Sequence, residues 1–369
     1  MINTTKNELL LFIKGYLAGE YPCYILKNKQ TSEIPIFIYH HISLMEFEER
    51  LQYLSRNKYN TLTADELELS LNDRTSAPER SVVITFDDGL SDVYEVAFPL
   101  LKKYQLKIVV FLLPGWIGKS GVLTWNQVQE MHNSGLVDFQ SHSMNHTAIF
   151  TSPELFDFYN PKYSNMKPWN FPLPQTEKGE KKFVPNSWGA PLYKFHSRFS
   201  DSKKYFTDKN IRRLCVEHVA KNGNEEFFEQ TNWRGELKAI VNDYQKNNSG
   251  DNKFESEKEQ EQSILEELRL SKRTIEEKLQ DKTIRHFAWP WNQVGVLTAR
   301  LLVKSGYTTS YMGLTKGDID DSEINDINLN LIRRVTGDFI ICLPGEGRQS
   351  FWSVMLRKII RRFKSGATY

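Results

Sequence analysis

The chain has 369 residues, 40% hydrophobic and 25% charged, enough for one large folded domain with an insertion or for two domains. Its formal net charge of +2 gives no global field for nucleic acid, and no zinc-knuckle, helix-turn-helix or RNA-binding signature supplies a local one. Three cysteines, Cys23, Cys215 and Cys342, are too few and too far apart for a disulfide framework and suit a reducing compartment.

From the N-terminus, Leu9–Ile13 is apolar, but Glu8 precedes it, Lys14 cuts it, and no small-residue cleavage site follows. It reads as an amphipathic starting helix. No apolar run approaches the roughly 20 residues needed to cross a bilayer, so the expected location is cytoplasmic. Ile34–Tyr39 is a first strand closed by His40, His41 and Ile42, Glu46–Asn57 has helical spacing, Tyr59–Leu62 is a second strand, and a helix starts near Ala64.

Ser81–Phe86 is β-branched without polar alternation, the pattern of a strand covered on both faces. Asp87 and Asp88 follow it, and Gly89 can break the extended path so that both carboxylates face one pocket. Ser91–Tyr104 is a helix, Lys107–Leu113 a buried strand, and Thr124–Ser134 a helix stopped by Gly135. The apolar run Leu136–Phe139 then leads to His142 and His146, whose spacing places them on one face of a helical turn.

One carboxylate and two imidazoles make three ligands for a borderline divalent ion such as Zn²⁺, with positions left open for chemistry. The remaining aspartate is then the natural base. An Asp-Asp-Gly alone is usually a turn, and a lone His pair is usually not a metal site. Their joint occurrence after two strands is what points to catalysis, because parallel α/β folds collect reactive groups at strand carboxyl ends.

Thr85-Phe86-Asp87-Asp88-Gly89 with His142-Ser143-x-x-His146 resembles the first two motifs of the polysaccharide deacetylases, the NodB-homology or carbohydrate esterase family 4 group. The resemblance implies an α/β fold, a distorted (β/α) barrel of seven to eight strands, that removes N-acetyl groups from amino sugars. Asp87 would be the general base, and Asp88, His142 and His146 would hold a divalent metal, Zn²⁺ by preference. A Tyr-His also ends the first strand in relatives, which places His40 at the pocket rim to bind substrate or donate a proton.

About 100 residues after His146 exceed what a minimal barrel needs. Pro161–Phe199 is rich in proline and aromatics, Lys209–Val241 reads as two helices parted by Asn222-Gly223-Asn224, and Asn247–Asn252 is linker. Boundaries at 1–150, 151–252 and 253–369 separate the first part of the barrel, an insertion, and the second part of the barrel. The insertion is either a lid that stacks on sugars or a subdomain using its aromatics as core. Similar segments occur in deacetylases associated with bacterial surface-polysaccharide assembly.

Glu257–Gln280 is helical, with Ile264, Leu265, Leu268, Ile275 and Leu279 on its buried side. Arg285–Asn292 resembles the family's third motif, which implies that the Trp291 backbone N–H helps hold the oxyanion. Trp289, Pro290 and Arg334 are assigned to substrate contact. Ala288 stands where many relatives carry an arginine, so the partner of Asp87 falls to Arg333 or Arg334. Asn292–Lys304 is a helix and Thr308–Tyr311 a strand. No histidine follows His286, so the family's late leaving-group acid is missing, which leaves His40, metal-bound water or a protonated Asp87 as the candidate acid.

The tail carries Phe351, Trp352, Met355, Leu356, Ile359, Ile360 and Phe363 on one helical stripe, with Arg357, Lys358, Arg361, Arg362 and Lys364 on the other. Such a helix either docks on the barrel or makes peripheral contact with an anionic membrane. The expected function is metal-dependent N-deacetylation of an amino-sugar polysaccharide or glycan intermediate. The alternatives are a carbohydrate-binding protein without turnover, or a deacylase of a nucleotide- or lipid-linked sugar bearing another acyl group.

Overall fold

The computed structural model describes residues 15–17, 19, 21–27, 33–72, 77–163, 166–172, 187–248, 253–314 and 327–365. The starting helix expected at Leu9–Ile13 and part of the Asn247–Asn252 linker lie outside them. Two compact units are formed, one from Met1–Ser143, Ser271–Asn292 and Gly306–Tyr369, the other from Met144–Leu270 and Gln293–Ser305.

The first unit contains a parallel barrel. Its strands are β1 (Ile36–Tyr39), β2 (Asn60–Thr61), β3 (Ser81–Phe86), β4 (Ile108–Leu112) and β5 (Val137–Ser141), and later β8 (His286–Ala288), β9 (Thr309–Gly313) and β10 (Asn330–Thr336). They run in the order β1-β10-β9-β8-β5-β4-β3, and β1 pairs with β3 to close the ring, leaving short β2 beside β3. All seven ring strands pair in parallel. Every residue of β3 and β4 is buried, as expected of strands with helices outside and core inside. Ile36, Val83, Val109, Phe111, Ala288, Tyr311 and Ile332 share one apolar cluster, the Ile, Val and Phe side chains each contributing about 1.5–3 kcal/mol by burial.

The outer helices of this unit include α1 (Leu44–Arg56), α2 (Ala64–Asn72), α3 (Phe98–Tyr104) and α4 (Trp125–Asn133). Thr124 caps α4 in a reciprocal box with Gln127, which fixes where that helix starts. The helix expected over Ser91–Tyr104 opens instead as a π-helical turn, Val93–Ala97. Pro99 has no N–H to return to the preceding turn, and the register widens ahead of it.

The second unit holds an antiparallel pair, β6 (Ala148–Phe158) with β7 (Pro191–Ser197), and the helices α5 (Lys209–Lys221) and α6 (Trp233–Asn247). The sequence reading anticipated the two helices but not the strands. Pairing is irregular between Phe150 and Leu155, around Ser152 and Pro153, so the alternation that marks a strand is lost there. Phe158, Ile211, Cys215, Val219, Phe227, Trp233, Leu237 and Val241 form this unit's own core. Tyr159, Tyr163, Phe171, Ala190 and Leu192 form a second cluster.

Helix α7 (Glu257–Leu279) enters from the second unit and ends in the first. Helix α8 begins at Val296 rather than Asn292, because Trp291 and Asn292 both take left-handed backbone conformations, φ 54° and 57°. The last described element is α9 (Phe351–Ser365).

Candidate active site

A parallel barrel brings the carboxyl ends of its strands to one rim. Here that rim receives His40 from β1, Asp87 and Asp88 from β3, His142 from β5 and the Trp289–Asn292 turn from β8. Left-handed residues cluster at these ends: Asp88 (φ 72°), Gly89 (67°), Ser143 (74°), His146 (54°), Trp291 (54°) and Asn292 (57°). Each non-glycine among them costs about 1–3 kcal/mol, strain typical of functional sites. A Cβ on Gly89 would also lie 2.8 Å from Leu112 Cδ2, so glycine is required there for both conformation and space.

The turn at Asp88-Gly89 does what alternation in a strand forbids. His142 Nε2 stands 3.6 Å from Asp88 Oδ1 and 4.0 Å from Asp87 Oδ2, so both neighbouring carboxylates face one imidazole. All three side chains are buried. One ligand atom each from Asp88, His142 and His146 lies within 4.8 Å of the others. The two histidines do not share a helical turn as expected. His142 through His146 is a loop, bent at Ser143 and His146, and this bending replaces helical periodicity.

The donor chemistry fits a divalent ion. His142 Nδ1 is 2.9 Å from the Ala288 carbonyl, which can only accept, so Nδ1 carries the proton and the Nε2 lone pair faces Asp88. Helix α7 braces both flanks of the histidine loop. Ser271 Oγ meets Ser141 Oγ at 2.7 Å. Glu267 accepts hydrogen bonds from the Asn145 N–H at 2.8 Å and the Thr147 hydroxyl at 3.0 Å, so it grips the residues on either side of His146.

Asp87 is held differently. Arg334 Nη1 and Nη2 donate to its two oxygens at 2.7 and 2.8 Å, with Nη1 also 3.1 Å from Thr85 Oγ1. Thr85 in turn donates to the Phe37 carbonyl at 2.8 Å. Burial works to raise the Asp87 pKa, but the Arg334 charge, with His142 and His40 adding to it, brings it down to about 2. Asp87 is therefore an ionised carboxylate at neutral pH. Burial pushes the His40 imidazole below its ordinary value, against the pull of Asp87 and Asp88.

Of the other residues singled out from the sequence, Arg334 spends its guanidinium on Asp87 and Thr85 rather than presenting it outward. Arg333 points elsewhere, donating to the Gly313 carbonyl at 3.3 Å. Trp289 is 1% exposed and packs edge-on against Phe287, and Pro290 is also buried, so both stand in the barrel wall rather than on an open surface. Trp291 is half-buried, and its turn is pinned by Asn292, whose Oδ1 accepts from the Gly313 N–H at 2.7 Å. Thr85, Ser271, Glu267 and the Ala288 carbonyl escaped the sequence reading. Only Thr85 carried a signal, its place in the same pentapeptide as Asp87.

Residues 74–168 match the polysaccharide deacetylase family. YxkH of Bacillus subtilis (strain 168), named as a polysaccharide deacetylase, is 37% identical over 132 residues, 34% of this chain and 47% of that protein. The poly-β-1,6-N-acetyl-D-glucosamine N-deacetylase of Staphylococcus epidermidis is 36% identical over 103 residues, 27% of this chain and 35% of that protein. The chain thus spans about half or less of the length of these relatives. A solved de-N-acetylase from Aggregatibacter actinomycetemcomitans shares the fold at 17% identity and a TM-score of 0.50, covering 82% of this chain and 95% of that one. Motifs and matched segment make residues 74–168 similar to the polysaccharide deacetylases, and the barrel around them has the fold of a solved de-N-acetylase.

Proposed function

We infer that this chain is a metal-dependent N-deacetylase acting on an N-acetylated amino-sugar glycan and releasing acetate. The observation that carries the reading is the division of labour between adjacent carboxylates: Asp88 is turned to the two histidines, while Asp87 is clamped by Arg334. Asp88, His142 and His146 would hold the ion. When bound, a divalent ion acidifies water and polarises the acetamide carbonyl.

Asp87 takes the proton from the attacking water. A carboxylate with a pKa near 2 is always ionised but only weakly basic, so it suits a water already made acidic. Arg334 fixes both its charge and its orientation. The neutral His40 beside it is a poor acid at neutral pH, so the proton gathered by Asp87 is the one at hand for the leaving nitrogen. The Trp291 backbone N–H, in its left-handed turn, would serve the developing oxyanion, a role that needs a rigid donor.

The relative from Staphylococcus epidermidis is named for a polymer of β-1,6-linked N-acetylglucosamine, and an oligomer of that sugar is the natural first substrate. Incubation of the purified chain with Zn²⁺ or Co²⁺ and this oligomer, with acetate as the readout, tests the reading. Acetate release that disappears on chelation supports it. Metal binding without acetate from any N-acetylated glycan would instead favour a carbohydrate-binding role.

A further inference from the structure

Helix α9 divides its apolar residues between two faces. Phe351, Val354 and Met355 are buried, with Phe351 stacked on Phe339 at 5.3 Å. Trp352, Leu356 and Ile360, spaced by four residues, stay 50%, 58% and 45% exposed. This second stripe is about 12 Å long at the rise of an α-helix. Trp352 packs one edge on Tyr16, ring centroids 4.8 Å apart, and the apolar surface that the three still expose is unusual for a face that meets only water.

The stripe leads to the catalytic rim. Arg357 pairs with Glu49 at 3.2 Å and Arg361 with Glu46 at 2.6 Å, so the C-terminal end of α9 lies against the N-terminal end of α1. There Leu44 and Met45 are 55% and 83% exposed, only a few residues beyond His40. The charge on this flank is lopsided. Helix α9 carries Arg357, Lys358, Arg361, Arg362 and Lys364 and no acid, and among the described side chains Arg50, Arg357, Lys358 and Arg361 pair with Glu46, Glu49 and Asp338. The side chains of Arg362, Phe363 and Lys364 lie outside the described residues and enter through the sequence alone. Among the described residues no helix is long and apolar enough to cross a membrane.

We propose that the flank made by α9 and the start of α1 docks on an anionic phospholipid surface, with Trp352, Leu356 and Ile360 entering the interface. The barrel rim is then held beside that surface, so the substrate class is a glycan presented at a membrane. Apolar burial supplies adhesion, and the excess cations supply the preference for anionic lipid. The docking stands on geometry and charge, and only the substrate class rests on the deacetylase reading.

The test is flotation of the full chain with phosphatidylglycerol-containing vesicles and with phosphatidylcholine vesicles, comparing wild type, the triple variant W352S/L356S/I360S and the control Leu69→Ser, exposed on α2. Leu356 and Ile360 are exposed and Trp352 gives up one edge to Tyr16, so the triple variant should stay folded with a small drop in melting temperature. The double variant L356S/I360S, which spares Trp352, should lose binding in the same direction. The expected result is binding to anionic vesicles that falls about tenfold in the triple variant and in high salt, with the control unchanged. Failure of wild type to float, or unchanged binding by the triple variant, overturns the proposal. So does a wild-type dimer that the triple variant abolishes, since that assigns the stripe to a second copy. Acetate release from a soluble oligomer, measured in parallel, should be equal in wild type and triple variant. Its absence in both would count against the deacetylase reading and leave the docking result intact.

Discussion

Arg334 and Asp87 meet as two parallel charge-assisted hydrogen bonds, 2.7 and 2.8 Å long, between a late strand of the barrel and the end of β3. Both side chains are almost wholly buried. Breaking such a pair leaves an uncompensated charge in the core, which costs about 3–5 kcal/mol. Arg334→Met should lower stability by that order and should let burial raise the Asp87 pKa, so the acidic limb of the activity profile moves to higher pH. Arg334→Lys restores the charge but not the fork, and should recover stability better than rate. Denaturant melts and rate–pH profiles of the two variants check this. An unmoved acidic limb in Arg334→Met contradicts it.

Glu267 acts on His146 through the backbone on either side of it. Glu267→Ala should weaken metal affinity about 10–100-fold, the usual effect of removing an outer partner of a ligand. The Asp87–Arg334 pair should persist. Isothermal titration with Zn²⁺ measures the affinity. Equal affinity in wild type and variant would show that the loop holds itself.

Gly337 follows β10 and packs on the ring of Tyr39, whose hydroxyl donates to the Gly337 carbonyl at 3.0 Å. A Cβ at this position would fall inside that ring. Tyr39 in turn stacks on Phe86 at 5.2 Å, next to Asp87. Gly337→Ala should therefore destabilise by about 1–3 kcal/mol through overpacking, and thermal melting checks it.

In the second unit, Asp157 accepts from Lys162 at 2.7 Å, Tyr163 at 2.8 Å and Arg234 at 3.0 Å. Burial works to raise its pKa, but these hydrogen bonds outweigh it and hold the carboxyl well below the usual range. A carboxyl lowered on folding stabilises above its unfolded value, about pH 3.9, and loses that contribution as pH falls through the folded value. Asp157→Asn should thus melt lower than wild type at pH 7, and the gap should shrink below about pH 4. A gap that widens with acid would contradict the sign.

The barrel was legible because its strands announce themselves: Ser81–Phe86 and Lys107–Leu113 leave little room for another conformation. The ligand candidates were legible because Asp88, His142 and His146 sit in short motifs at strand ends. The conformation that aims them was not, since left-handed backbone at Ser143 and His146 leaves no mark in residue type. The Arg334 partnership joins residues 247 positions apart, and local pattern cannot choose between Arg333 and Arg334. The β6–β7 pair was hidden by its own irregularity, and the divided face of α9 by a periodicity that gives one broad stripe where packing takes only half.

The most direct measurement compares wild type with Asp87→Asn, each loaded with Zn²⁺, for metal content and for acetate released from the β-1,6-N-acetylglucosamine oligomer. Equal metal content with acetate release reduced by about a hundredfold or more is the predicted result, since general-base loss is usually worth about 10²–10⁴ and the proposed metal ligands are other residues. Full acetate release by Asp87→Asn, or loss of the metal with that single change, would contradict the separation of base from ligands.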